Sequence, residues 1–98
     1  MKPLTLALLL TISMAGHAAP HANYTYRNWI IDNSTVCNNY KYGSVVYRDC
    51  RSGALEFFRE RCDQLKQQVD NLGMNAPEIT RHQKEMFCHA ASTFSPVN

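Results

Sequence analysis

Glu78, His82, Glu85 and His89 recur at steps of three and four residues in the segment EITRHQKEMFCH. On a helix that spacing aligns two imidazoles and two carboxylates along one stripe. Imidazole nitrogen and carboxylate oxygen are zinc ligands, and a metal held this way can activate water for hydrolysis. The same helical wheel puts Ile79, Met86, Phe87, Ala90, Ala91 and Phe94 on an opposing arc, with Cys88 at its margin. A polar stripe opposite an apolar arc is what a solvated helix face looks like. A metal site also needs further ligands and a supporting shell that the stripe alone does not supply. The residues therefore predict solvent-facing surface with no metal and no cofactor. The rival is a small metal-binding protein or metal-dependent hydrolase using His82, Glu85 and His89.

Other chemistry is weaker still. Ser34, Ser44, Ser52, Ser92 and Ser95 sit in no GxSxG-like elbow. Glu56 and Glu60 lie one helical turn apart, but the neighbouring arginines favour their ionised forms and a solvated face. Asn23-Tyr24-Thr25 and Asn33-Ser34-Thr35 match the N-glycosylation acceptor pattern, which matters only in a eukaryotic secretory route. The expectation is a non-enzyme.

The element that must position these groups runs from Tyr47 to Leu72. Tyr47, Ala54, Phe58, Cys62, Leu65, Val69 and Leu72 repeat with the 3.6-residue period of a helix face. Between them Arg48, Asp49, Arg51, Glu56, Arg59, Glu60, Asp63, Lys66 and Asp70 form a polar face of mixed sign. Gly53 is the one discordant residue, at a cost of about 1 kcal/mol relative to alanine. It marks either a close approach by another segment or a weak first turn. Upstream, Asp32-Asn33-Ser34 is a turn and capping cluster, and Ser34 is placed to cap a helix starting at Thr35. Either one helix runs from Thr35 to Leu72, or the chain breaks at Gly43-Ser44. Downstream, Leu72 to Pro77 supplies a glycine stop, a loop and a proline suited to a first helical turn. The last helix then spans Pro77 to Phe94.

Four cysteines, Cys37, Cys50, Cys62 and Cys88, read as two disulfides. None forms a CxxC, which disfavours a redox pair, and the gaps lack the close-paired ligands of a zinc finger. In one continuous helix Cys37 and Cys50 would stand about 19 Å apart, too far to bond. In the broken model they flank Gly43-Ser44 nearly symmetrically, as Cys62 and Cys88 flank Asn75. That symmetry favours Cys37 with Cys50 and Cys62 with Cys88.

The N-terminus bears on compartment. Lys2, an apolar run from Leu4 to Met14, and small residues at Gly16 and Ala18 make the pattern of a cleaved secretory signal, residues 1–18. The run is shorter than the roughly 20 residues of a spanning helix, and nothing downstream could span a bilayer. About 80 residues would remain, one small domain that needs staples. The formal charge of +2 is spread rather than concentrated, which argues against a nucleic-acid binder.

Residues 19–33 then read as an extended arm and turn, since YTYRNWII favours extended structure but finds no convincing second strand. Residues 34–94 form a disulfide-linked helical domain, and 95–98 a tail. Tyr24, Tyr26, Trp29, Tyr40 and Tyr42 crowd the N-terminal half, and tyrosine and tryptophan are enriched at binding hot spots. An arm of that composition could equally cover the helical core. The fold expected is mostly α: a small disulfide-pinned helical hairpin or three-helix unit with an extended N-terminal arm. The function expected is that of an exported, periplasmic or extracellular, protein that binds an unidentified protein partner. Envelope accessory, inhibitor, immunity-type protein and secreted factor all fit that description.

Overall fold

The computed structural model describes residues 22–97; the expected signal segment and its cleavage point lie outside them. Two helices dominate, α1 at Val45–Leu72 and α2 at Glu78–Thr93, packed antiparallel as a hairpin. Ahead of them stand two short strands, β1 at Tyr26–Arg27 and β2 at Ile30–Ile31. Short 3-10 turns occupy Asn33–Thr35 and Gly73–Asn75.

The chain does break at Gly43-Ser44. Gly43 takes φ 82°, a left-handed conformation natural to glycine. Ser44 then caps α1, its Oγ accepting from the Tyr47 N–H at 3.1 Å and donating to the Lys41 carbonyl at 2.7 Å. At the far end Gly73, φ 58°, lets the chain turn out of α1 while its N–H still donates to the Val69 carbonyl. Pro77 precedes α2, and Glu78 in the first turn complements the helix dipole.

The segment before the break is not the helix expected from Thr35. Asp32, not Ser34, is the capping residue: its Oδ1 accepts from the Ser34 N–H at 3.0 Å and Oγ at 2.7 Å, and the turn it caps ends at Thr35. Val36 is already extended and Cys37 has φ 67°, so no helix can propagate. Nor is the arm a single extended strand. β1 and β2 pair antiparallel, Tyr26 opposite Ile31 and Arg27 opposite Ile30. Asn28 and Trp29 both take positive φ, 54° and 62°, as a type I′ hairpin turn requires.

Disulfides join Cys37 to Cys50 and Cys62 to Cys88. The first ties the irregular segment to the start of α1; the second staples α1 to α2. One core runs the length of the molecule, including Val36, Cys37, Cys50, Ala54, Phe58, Leu65, Met86, Phe87, Ala90 and Phe94. Phe58 is fully buried and meets the Phe94 ring edge-on at 5.5 Å. Four residues depart from the expected pattern. Ile79 and Leu72 are half exposed, because each stands at the hairpin turn where the two helices end. Arg51, assigned to the polar face, is 3% exposed. Gly53 lies half-buried inside α1 rather than in a first turn.

Candidate functional site

The five aromatic residues of the N-terminal half separate into two classes. Tyr24 is half-buried, with ring centroids 5.7 Å from Phe58 and 6.4 Å from Phe87, both near perpendicular. Burial pushes its phenol pKa up, against the lowering effect of Arg61, with Tyr26 adding to the rise. Tyr40 is also half-buried against the core. These two serve the fold.

Tyr26, Trp29 and Tyr42 face outward to different degrees. Tyr42 is 77% exposed and touches only the rim of the fold, its ring tilted against Tyr47 at 5.2 Å. Tyr26 is half exposed and stacks on Trp29 at 5.6 Å with 20° between planes. Trp29 in turn stacks on His82 of α2 at 5.1 Å and 5°. Three rings thus form a continuous stack that ties the hairpin to α2. A bulky residue at positive φ is strained, by about 1–3 kcal/mol for such outliers, so the stack must offset what Trp29 loses in its backbone.

His82 is therefore not simply part of a solvated stripe. Its Nε2 lies 3.7 Å from the exposed Glu78 carboxylate while its ring packs on Trp29. Glu85 and His89 are exposed, the His89 carbonyl accepting from the hydroxyls of Ser92 and Thr93. Among the described residues no group of three or more histidines, cysteines or carboxylates could hold a metal ion. Glu56 and Glu60 are both exposed on α1. The acceptor Asn23 is exposed and Asn33 half-buried, and the hydroxyls of Thr25 and Thr35 in those same tripeptides bond each other at 3.2 Å.

On the outer side of the hairpin Thr25, Tyr26, Arg27, Asn28, Ile30 and Asp32 line a shallow open groove of about 540 Å³. Ile30 is half exposed at its floor. The Asp32 carboxyl is held below its ordinary range by the Ser34 hydroxyl and the Ser34 backbone N–H, with Arg27 adding a smaller attraction. Apolar floor, aromatic wall and fixed charges at the rim suit a binding surface better than a reaction centre. Ile30 and His82 were not among the residues the sequence nominated for partner binding, His82 being considered there only as a metal ligand. The only signal for Ile30 was its place in a run favouring extended structure; for His82 there was none, since its partner is 53 residues away.

No helix among the described residues is long and apolar enough to cross a membrane. The two disulfides are consistent with an oxidising compartment. The chain matches no protein-family model, no curated protein and no solved structure.

Proposed function

We infer that the chain is exported and acts without catalysis, by binding another protein through the hairpin surface built on Tyr26, Trp29, Ile30 and His82. An envelope accessory, an inhibitor or an immunity-type protein would work this way. The observation that supports this reading is the ring stack itself. It fixes Tyr26 half exposed on a rigid hairpin, beside the exposed Ile30 and near a groove with charged edges. Large side chains already immobilised lose little conformational entropy on binding, which is what a hot spot needs.

The test separates Tyr26 from Tyr24, two residues away and differently placed. Tyr26→Ala with Ile30→Ala should cost only the Tyr26–Trp29 stacking, about 1 kcal/mol of stability, and weaken partner capture from the native envelope or secretome by about 2 kcal/mol or more. Tyr24→Ala should do the reverse, losing about 2–3 kcal/mol of stability while the folded fraction still binds. Undiminished capture by the Tyr26 and Ile30 variant would remove the hairpin from the reading.

A further inference from the structure

Arg51 is the one buried charged side chain of the described residues, and the arrangement around it is incomplete. Its Nη1 donates to the carbonyls of Asn33 at 3.0 Å and Val36 at 3.2 Å, and its Nη2 to the carbonyl of Ser95 at 2.8 Å. The Phe94 ring covers the guanidinium at 4.4 Å and the Tyr47 ring lies at 5.5 Å. A guanidinium has five N–H donors, so three bonds leave two, and Nε is buried with no partner. Among the described residues no carboxylate comes within 4.0 Å of Arg51. Buried charges are ordinarily paired, because desolvation leaves an isolated one costly. Carbonyl dipoles and ring faces reduce that cost but do not neutralise the charge.

Beside this side chain lies an open cavity of about 280 Å³, lined by Asn33, Ser34, Arg51, Thr93 and Ser95. Its volume holds several waters or one small ion with its hydration. Not every rim hydroxyl is available: Ser34 Oγ donates to Asp32 and Thr93 Oγ1 to the His89 carbonyl. Asn33 and Ser95 line the space as well, and each carries a side-chain donor. Nε itself is shielded from solvent, so the guanidinium charge and the remaining Nη2 N–H are what Arg51 offers to a carboxylate or phosphate in this space.

We propose that the cavity over Arg51 is a binding site for a small oxyanion, a carboxylate or a phosphate. The anion balances the charge of Arg51 and bonds its free Nη2 donor, with Asn33 and Ser95 at the rim. Because Arg51 already ties the Asn33–Val36 segment to the end of α2, the bound anion also steadies the junction of both chain ends with α1. The site is separate from the hairpin surface and does not depend on the reading given for it.

The experiment uses the oxidised protein at constant ionic strength, titrated in turn with inorganic phosphate, acetate and chloride. Melting temperature and isothermal calorimetry are read together. Phosphate or acetate should give a saturable calorimetric isotherm and raise the melting temperature with the logarithm of its concentration, by roughly 5 °C or more at a hundredfold excess over its dissociation constant, whereas chloride should do neither. A response to phosphate alone assigns a phosphate ligand and to acetate alone a carboxylate. Asn33→Ala with Ser95→Ala removes the rim donors but keeps the backbone carbonyls that hold Arg51, and should weaken binding at least tenfold. Equal shifts with all three anions, no saturable calorimetric binding, or an undiminished response in the double variant would each overturn the proposal.

Discussion

The two disulfides hold two differently built halves. Around Cys62–Cys88 the backbone satisfies itself: two long helices supply their own hydrogen bonds, and the bridge joins half-buried positions between surfaces already matched by Leu65, Met86 and Phe87. Around Cys37–Cys50 both cysteines are fully buried, and one limb has almost no regular structure. There the backbone carbonyls of Val36 and Ser95 find a donor in a single side chain, Arg51, which also bonds the Asn33 carbonyl beside the Val36 N–H. Buried backbone groups must be paired wherever they lie, so a segment without a helix or sheet ladder pairs them through isolated backbone bonds, such as Cys37 N–H to the Asn23 carbonyl, and through side chains such as Arg51. The irregular half therefore concentrates its stability in a few residues, and the helical half spreads it.

The largest expected effect tests that contrast directly. Loop entropy alone makes removal of Cys62–Cys88 the more costly change, since its sequence separation is 26 against 13. Each bond is worth about 3 kcal/mol on that model. If the halves differ as described, Cys37→Ala with Cys50→Ala should instead cost more, about 4 kcal/mol, because it also opens a cavity in a part with no ladder to fall back on. Denaturant unfolding of both double variants decides; an order following loop length would mean the two halves are equivalent.

Arg51→Ala should come next, at about 3 kcal/mol by the same measurement, because the carbonyls of Val36 and Ser95 lose this donor, that of Asn33 keeps only the Val36 N–H, and the two rings lose their packing. Charge-reversing substitutions on the exposed face of α1, such as Arg59→Glu, should change stability by no more than about 0.5 kcal/mol. A small loss for Arg51→Ala would mean that the irregular half is held by its disulfide alone.

The smallest effect sharpens the same picture through pH. Asp32 caps the turn at Asn33–Thr35 as a carboxylate, and its pKa in the folded protein is lowered. A lowered folded value means that its stabilising contribution is fully present above the unfolded value of about 3.9 and is lost as pH falls through the folded one. Asp32→Asn should therefore lower the melting temperature slightly at neutral pH, and the difference from the parent should shrink as the solution is acidified into that window. A difference that stays constant down to low pH would show that the cap does not act through its charge.

Much of the helical half was legible in advance. The 3.6-residue repeat from Tyr47 to Val69, the break at Gly43-Ser44 and the stop at Gly73 act over a few neighbours, so their signal is complete in a short stretch. With the helix ends placed, the near symmetry of the cysteines about the two turns picks out the same pairs that the structure joins. The hairpin was harder to see. Its turn holds Trp29 where a type I′ turn usually has glycine, so the strongest local signal for pairing was missing.

What the sequence by itself determined is thus the two main helices and the turn between them, with the break at Gly43-Ser44 and the cysteine pairing favoured over alternatives, because periodicity, capping and turn chemistry are local. Only the tertiary structure decided which polar and aromatic groups are inside. Tyr24 and Tyr26 differ by two positions and share a residue type, yet one packs on Phe58 and the other on Trp29 at the surface. Arg51 reads as one more charge on a polar helix face until Asn33, Val36 and Ser95, separated from it by 18, 15 and 44 residues, converge on its guanidinium. Burial is a property of which distant segments meet, and the free energy of a buried group depends on all of them at once, so no window of neighbouring residues contains it.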